Sequence, residues 1–235
     1  MSLAISYYFQ QLDAFPFADF FDGLDEPTEI LQKTKPFLTD FLAGKQENHA
    51  TIKGAAPALY GDYYIGEGTV IYDNVTIIGP VYIGKNVNIM PGAVIRPNTI
   101  ISDNCAVGQG SEIKASVLFS GAKVASLAFV GDSVLGKSAR IGSGVITANR
   151  KFDQSNATIK QEGVQIDLGR DFFGAIIGDS TRLGANSVTQ PGTHIGSHTW
   201  IFPLTNVRGF IPAQKRVFAE QTLTMTDNEV RELKG

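Results

Sequence analysis

Residues 65–118 read IGEGTV IYDNVT IIGPVY IGKNVN IMPGAV IRPNTI ISDNCA VGQGSE IKASVL when they are divided into blocks of six. Every block opens with isoleucine or valine, and its fifth residue is small or β-branched. These fifth residues are Thr69, Val75, Val81, Val87, Ala93, Thr99, Cys105, Ser111 and Val117. A strand alternates with period 2 and a helix repeats every 3.6 residues, so neither explains a strict period of six.

A triangular coil of short strands explains this period. If each block forms one flat strand and one turn, three blocks complete a winding of 18 residues. The aliphatic residue then points into the prism and stacks on its equivalent one winding away, while the small residue fills the corner. Strands of successive windings pair in parallel, roughly 4.8 Å apart. The sequence therefore predicts an all-β, single-stranded parallel β-helix whose side chains line up in columns.

The period extends over residues 61–212 with one long interruption. The later inward positions are Leu118, Val124, Val130, Leu135, Ile141, Thr147, Ile177, Leu183, Thr189, Ile195, Ile201 and Val207. The pattern is lost between residues 148 and 175, so we expect a loop extruded from the prism there. Excursions of this length inside a domain are usually functional or disordered.

The two ends do not carry the repeat. Residues 1–60 contain many aromatic side chains and then a helical pattern that begins at Pro27, with Pro36 expected to kink or split the helix. A solenoid needs its open end covered, so we expect this segment to be a small helical cap. Residues 213–235 form a C-terminal extension, in which Thr226 opens a capping-box pattern that predicts a short helix.

Composition excludes several classes of partner. A formal net charge of −3 without a basic stripe argues against nucleic acid. No run of 18 apolar residues predicts a membrane span, and no secretory signal is recognisable. Cys105 is the single cysteine, so disulfides and cysteine metal clusters are excluded, and its corner position predicts burial. We expect a cytoplasmic protein that binds no metal.

Arg96 and Lys114 are 18 residues apart, which is one full winding. Both should therefore project from the same face as neighbouring like charges, an unfavourable arrangement unless an anion sits between them. The alternative is a pair of solvated surface cations relieved by Glu112 or Asp103.

From about residue 65 to 210 the chain resembles a known family. It is similar to the C-terminal acetyltransferase half of the bifunctional glucosamine-1-phosphate acetyltransferase/N-acetylglucosamine-1-phosphate uridylyltransferases and to archaeal sugar-1-phosphate nucleotidylyltransferases. The segments that carry the resemblance are 95–97, 110–114, 130–136, 146–153 and 174–179. The resemblance implies a left-handed β-helix of hexapeptide repeats. Nothing in the sequence has the Gly-rich phosphate loop of a nucleotidylyltransferase half, so uridylyl transfer is not expected.

The resemblance implies roles for particular residues. Arg96 and Lys114 match the basic pair that holds a sugar phosphate, and Asn149 matches the asparagine that positions an amino sugar. The family's His-Leu-Xaa-Tyr-Val-Gly-Asp stretch is here Ser126-Leu-Ala-Phe129-Val-Gly-Asp. Ser126 thus stands at the position of the catalytic histidine, and Phe129 replaces a tyrosine that contacts substrate. A serine does not titrate near neutral pH, and loss of a general base typically lowers a rate by about 10²–10⁴-fold.

The other histidines offer little replacement. The chain has only His49, His194 and His198. We expect His194 and His198 on surface turns of late windings, roughly 20 Å from Ser126 along the prism.

The resemblance also implies an acyl-CoA co-substrate in a groove between two prisms of a homotrimer. Ser143 and Ala185 would line that groove, and Arg208, Lys215 and Arg216 would meet the phosphates. The alternative for these three cations is a solvated basic tail. The extruded loop would reach across to complete a neighbour's site.

Three functions remain open from the sequence. The first is an acyl-CoA-dependent acyltransferase that acts on a sugar phosphate or nucleotide sugar. The second is a binding or regulatory trimer that kept the phosphate cradle but lost acetyl transfer. The third, a purely structural trimerisation module, is disfavoured by the combination of Arg96, Lys114 and Asn149, while Ser126 separates the first two.

Overall fold

The computed structural model describes residues 4–12, 15–161 and 163–226, and over this range the chain winds into a three-sided parallel β-helix. Sheet A contains β1 (Gln46–Asn48), β4 (Tyr63–Ile65), β7 (Val81–Ile83), β10 (Thr99–Ile101), β13 (Val117–Leu118), β16 (Val134–Leu135), β21 (Ala175–Ile177), β24 (Thr193–Ile195) and β27 (Phe210–Ile211). Sheet B contains β2 (Thr51–Ile52), β5 (Val70–Ile71), β8 (Asn88–Ile89), β11 (Ala106–Val107), β14 (Lys123–Val124), β17 (Arg140–Ile141), β22 (Arg182–Leu183), β25 (Trp200–Ile201) and β28 (Arg216–Val217). Sheet C contains β3 (Ala58–Tyr60), β6 (Thr76–Ile78), β9 (Val94–Ile95), β12 (Glu112–Lys114), β15 (Phe129–Gly131), β18 (Ile146–Thr147), β23 (Val188–Thr189) and β26 (Asn206–Val207). The predicted parallel β-helix is confirmed.

The aliphatic residues of the repeat form the core of the prism. In sheet A, Ile65, Ile83, Ile101 and Leu118 pair in register, and all four are fully buried. Burying one such side chain stabilises the fold by about 1.5–3 kcal/mol. Cys105 is buried at its corner, and this burial raises the pKa of its thiol to about 12, so it is unreactive near neutral pH.

The β-helix is longer than the repeat predicts at both ends. Residues 46–48 already pair in parallel with 63–65, and 216–217 pair with 200–201. The first coil was missed because the side chains of 46–48 are exposed, so no buried residue marks the period there. The strands continue past the predicted boundary at residue 212.

The sequence analysis expects the N-terminal segment over the open end of the coil, whereas its described residues pack along one side of the prism. It consists of α1 (Ile5–Tyr8), a 3-10 helix (Ala18–Phe21) and α2 (Pro27–Phe41), and it lies along the outer face of sheet A. The outward column of that face is unusually apolar: Tyr64, Tyr82, Ile100, Val117, Val134, Ile176, His194 and Phe210. Left uncovered, these side chains would expose a long apolar stripe, so the segment covers one face of the prism.

Aromatic contacts attach this segment from one end of sheet A to the other. The ring of Phe17 meets Tyr82 at 4.6 Å, and Phe9 stacks on Phe119 at 4.8 Å. At the far end, the backbone N–H of Ala213 donates to the hydroxyl of Tyr7 at 2.9 Å. The segment therefore ties early and late coils together.

Pro36 was expected to kink or split the helix; α2 runs unbroken from Pro27 to Phe41, so the expected split is wrong. A helical proline leaves the carbonyl four residues earlier, here Gln32, without its usual donor. Both Pro36 and Gln32 are exposed, so water can satisfy that carbonyl. The capping box between Glu26 and Glu29 fixes the start of the helix.

The chain leaves the prism after β18 and returns at β21. Between these strands lies an antiparallel hairpin of β19 (Thr158–Gln161) and β20 (Val164–Asp167). Ala157, Ile159 and Leu168 are buried in the same apolar cluster as the N-terminal segment. The helix predicted beyond Thr226 falls on residues 227–235, which lie outside the described residues.

Candidate functional site

Arg96 and Lys114 lie side by side on the outer face of sheet C. Strand β9 pairs with β12 in the register that their spacing of one winding predicts. The two cations do not share one partner: Arg96 Nη1 donates to Glu112 Oε1 at 2.6 Å, and Lys114 Nζ lies 3.2 Å from Asp132 Oδ2. The second expected acid, Asp103, instead accepts from a backbone N–H at a turn. Glu112, on β12, thus holds Arg96, and Asp132, which follows β15, holds Lys114.

The carboxylate of Asp132 organises the centre of the site. Its side chain is only 4% exposed, and it receives Asn149 Nδ2 at 2.6 Å as well as Lys114. Arg170 Nη2, from the end of the extruded loop, lies 3.7 Å from its other oxygen. A buried carboxylate is tolerated only when it is paired in this way. Asp132 therefore fixes three side chains that come from two coils and the loop.

The extruded loop closes against this centre through Phe172. Arg150 and Phe172 form an antiparallel bridge where the loop leaves and returns. Lys114 Nζ lies 4.4 Å from the centroid of the Phe172 ring, and the guanidinium of Arg150 lies 4.6 Å from it. Phe172 therefore makes a cation–π contact with each of the two cations.

The resulting cluster carries an excess of positive charge. Its cations are Arg96, Lys114, Arg150 and Arg170, and its carboxylates are Glu112 and Asp132. Four positive charges against two negative ones leave a net charge of +2. Such a cluster favours a dianion such as a phosphate monoester.

Phe129 and Asn149 flank the cluster on sheet C. A side chain at Gly131 would come within 2.7 Å of the Phe129 ring and 2.8 Å of Asn149 Nδ2. Glycine at position 131 therefore leaves room beside β15 for the Phe129 ring and the side-chain amide of Asn149. The side-chain nitrogen of Asn149 already donates to Asp132, so its side-chain oxygen, Oδ1, is the atom that Asn149 can offer to a ligand.

Ser126 lies at the corner between sheets B and C. Its backbone oxygen accepts from Gly144, and that of Ser143 accepts from Asn186, so successive corners stack directly. Ser126, Ser143 and Ala185 occupy equivalent positions in three coils. The structure thus places Ser126, which the resemblance aligns with the family's histidine, next to the two residues predicted to line a donor groove.

None of the three histidines lies on sheet C or at this corner. His49 follows β1, and His198 is exposed at a turn between sheets A and B. His194 was expected on a surface turn, and this is wrong: it is buried in β24 between the rings of Phe173 and Tyr8. Burial lowers its pKa to about 4, which keeps the imidazole neutral. It serves packing instead of proton transfer at the site.

The three cations predicted for the donor phosphates do not lie together. Arg208 follows β26 on sheet C, whereas Lys215 and Arg216 lie on sheet B. Arg216 rests over the Trp200 ring, 5.2 Å from its centroid. Sheets B and C both border the Ser126 corner, so Lys215 and Arg216 lie on one side of it and Arg208 on the other.

Sheet B carries a cationic column that the sequence analysis missed. Its members pair in register and are exposed: Lys123, Arg140, Arg182 and, beyond Trp200, Arg216. Each directly precedes an inward aliphatic residue, so the period of six itself contained the signal. The site residues Arg150, Arg170 and Phe172 had no such signal, because they belong to the aperiodic loop.

Two further observations concern the described residues only. They contain no group of three or more histidine, cysteine, aspartate or glutamate side chains suited to a metal ion. They also contain no helix whose length and apolarity would let it cross a bilayer.

Comparison with known proteins places the chain. Residues 77–170 match the family model of the GMPPB C-terminal domain. The chain is 34% identical to the bifunctional protein GlmU of Methanococcus maripaludis strain C5, over 88% of this chain and 49% of that protein. It is 36% identical to the bifunctional sugar-1-phosphate nucleotidylyltransferase/acetyltransferase of Sulfurisphaera tokodaii, over 68% of this chain and 38% of that protein. This chain is a parallel β-helix relative of their C-terminal half.

The relatives are longer than this chain. It spans about half the length of the curated relatives it matches, as the 49% figure for the Methanococcus protein shows. Among solved structures, an Arabidopsis UDP-N-acetylglucosamine acyltransferase is similar in fold, with 14% identity, a TM-score of 0.46, and coverage of 74% of this chain and 70% of that one.

Proposed function

We propose that this protein is an acyl-CoA-dependent acyltransferase that acts on a sugar phosphate or nucleotide sugar. The observation that carries the proposal is the cluster of four cations at the foot of the extruded loop. Arg96, Lys114 and Arg170 would hold the phosphate, and Asn149 and Phe129 would contact the sugar. The printed names of its relatives, which include a sugar-1-phosphate nucleotidylyltransferase/acetyltransferase, support a sugar-related acceptor.

We assign the acyl donor to the corner where sheets B and C meet. Between the cationic column and the Ser126 corner runs a line of small outward residues, Ala125, Gly142 and Gly184. A side chain at Gly142 would come within 2.7 Å of the backbone of the next coil, so glycine is required there. The small residues therefore leave a shallow trough along the prism. An extended pantetheine chain would lie along this trough, and the phosphates of coenzyme A would meet Arg182 and Arg216. Phe202 would close the trough toward the C-terminus.

Ser126 limits the chemistry available at this corner. In acyl transfer an acceptor amine or hydroxyl attacks the thioester carbon, the carbon–sulfur bond breaks, and the acceptor's proton must leave. A serine hydroxyl can donate a hydrogen bond to the developing oxyanion but cannot take that proton near neutral pH. The proton would therefore pass to water or to the departing thiolate. This feature specifically favours the second function, a trimer that binds sugar phosphates without transferring an acyl group.

A trimer would complete the donor groove, because the trough is open on one side within a single prism. We propose that a neighbouring copy closes it. The extruded loop packs against its own prism through Arg170, Phe172 and Leu168, so the expectation that it reaches across to a neighbour is not carried into this proposal. Size-exclusion chromatography with light scattering tests this state directly, and a monomer at micromolar concentration would contradict it.

One activity experiment separates the two functions. Thiol release from acetyl-CoA is measured over a panel of amino-sugar phosphates for the native protein, Ser126→His and the double variant Arg96→Ala/Lys114→Ala. Lys85→Ala, an exposed cation on a distant turn, is the matched control. Activity in the native chain that disappears in the double variant supports the transferase. Activity found only in Ser126→His supports the binding trimer.

A further inference from the structure

A second cationic pocket lies on sheet C, between the hairpin of the extruded loop and the last coils. It has a volume of about 1070 Å³. Its lining includes Lys151, Gln165, Gln190, Asn206, Arg208 and Phe210. This volume lies just above the usual range for small-molecule sites.

The pocket is separate from the cluster around Asp132. Lys114, Gly131, Ala148, Gln190 and Arg208 follow one another in a single outward column of sheet C. Arg208 is thus four coils from Lys114, roughly 19 Å along the prism. The pocket also lies away from the Ser126 corner, because its other wall is the loop hairpin and its floor reaches Phe210 in sheet A.

The chemistry of the lining is that of an anion site. Lys151 and Arg208 supply two positive charges, and none of the described lining residues carries a carboxylate. Arg208 is exposed and has no ion-pair partner among the described residues. Lys151 Nζ donates to Ser155 Oγ at 2.6 Å and to the backbone oxygen of Asn156 at 3.2 Å. It also lies 3.9 Å from Asp153 Oδ2 in an exposed ion pair, which a phosphate in the pocket would have to compete with.

The remaining polar groups of the lining are neutral amides and one hydroxyl. Gln190 Nε2 donates to Asn206 Oδ1 at 3.0 Å, and Gln165 Nε2 donates to Thr158 Oγ1 at 3.1 Å. Each pair leaves a free amide oxygen or nitrogen that can reach the edge of a base or a ribose hydroxyl. Two cations can pair with two phosphate groups, and several amides can make hydrogen bonds to a base and a ribose. This combination matches a nucleotide that carries two phosphates.

We infer that this pocket binds a nucleoside diphosphate, with the phosphates between Lys151 and Arg208 and the nucleoside against Gln165, Gln190 and Asn206. The inference goes beyond the proposed acyltransferase and does not rest on it. Because Lys151 and Gln165 belong to the loop whose base carries Arg150 and Arg170, a nucleotide here would also steady the wall of the sugar-phosphate cluster.

The test is equilibrium binding of ADP, GDP and UDP to the full chain by calorimetry. Arg208→Ala and Lys151→Ala should each weaken binding by about 10- to 100-fold, the effect expected for losing a charge-assisted hydrogen bond. Gln165→Glu, which adds a negative charge on the exposed hairpin, should weaken it similarly. Lys85→Ala is the matched surface control and should leave the affinity unchanged. Loss of nucleotide binding in Arg96→Ala with binding intact in Arg208→Ala would assign the nucleotide to the other cluster and overturn the inference.

Three further results would overturn the inference. The first is no binding of any of the three nucleotides at millimolar concentration. The second is binding that Arg208→Ala and Lys151→Ala leave intact. The third is displacement of the nucleotide by coenzyme A with an affinity that depends on Arg208, which would assign the pocket to the acyl donor. Absence of acyl transfer, by contrast, would affect the proposed function alone.

Discussion

Replacing His194 should remove much of the protein's sensitivity to acid. This side chain is 4% exposed, it stacks on Phe173 with ring centroids 5.8 Å apart, and it meets the edge of the Tyr8 ring at 5.8 Å. Its Nδ1 makes a hydrogen bond to Gly192 O at 3.0 Å. Burial lowers its pKa from 6.5 to about 4, because a charged imidazole cannot be solvated between these rings.

The direction and size of the effect follow from the two pKa values. The unfolded chain binds a proton at His194 below about pH 6.5, whereas the folded chain resists protonation until about pH 4. The stability linked to this group is therefore fully present above pH 6.5 and is lost as the pH falls toward 4. The gap between the two values corresponds to about 3 kcal/mol.

Urea unfolding at neutral pH and near pH 4, followed by circular dichroism, measures this loss. His194→Leu keeps an apolar side chain in the cluster and cannot titrate. Between the two pH values the native protein should lose about 3 kcal/mol more free energy of unfolding than this variant. His198→Asn changes an exposed histidine at a turn with φ of 58°, a conformation that asparagine accepts, and should behave like the native chain. Equal acid sensitivity of native protein and His194→Leu would refute the reasoning.

Three further predictions concern stability. Asp132→Ala should lower the free energy of unfolding by about 2–3 kcal/mol, because Lys114 and Arg170 lose their shared carboxylate. Inorganic phosphate should restore part of this loss in a thermal-shift assay. Absence of any rescue by phosphate would argue against an anion site. Phe119→Ala should cost about 3–5 kcal/mol in urea unfolding, because it empties the space beneath Phe9, and a cost below 1 kcal/mol would show that the segment is loosely attached. Pro36→Ala should raise stability by about 1–3 kcal/mol by restoring a helical hydrogen bond, and a decrease would mean that the proline relieves strain elsewhere.

The fold was predictable because its core is local in the sequence pattern. Ile65, Ile83 and Ile101 are one winding apart, and the same spacing aligned Arg96 with Lys114. Periodicity says which residues share a column, and that is enough to build a prism.

The partners beyond the columns were not predictable in this way. Tyr8 reaches Ser197, 189 residues away, and nothing periodic links them. Arg170 meets Asp132 only because the aperiodic loop folds back, so the centre of the site was missed although one of its members lay in a quoted motif. His194 shows the same limit, because its burial depends on rings contributed by the N-terminal segment and the loop.

The N-terminal segment has a consequence for how the protein is made. Its aromatic residues leave the ribosome before the coils do, yet Tyr7 needs Ala213, which is 206 residues further along the chain. Phe17 can already pack on Tyr82 when the early coils have formed, but Tyr7 and Tyr8 have no docking surface until the late coils exist. Nascent chains that expose such apolar side chains are prone to aggregate. Each coil can fold on its predecessor as it emerges from the ribosome. Docking of Tyr7 and Tyr8 on the late coils is therefore a separate, later folding step.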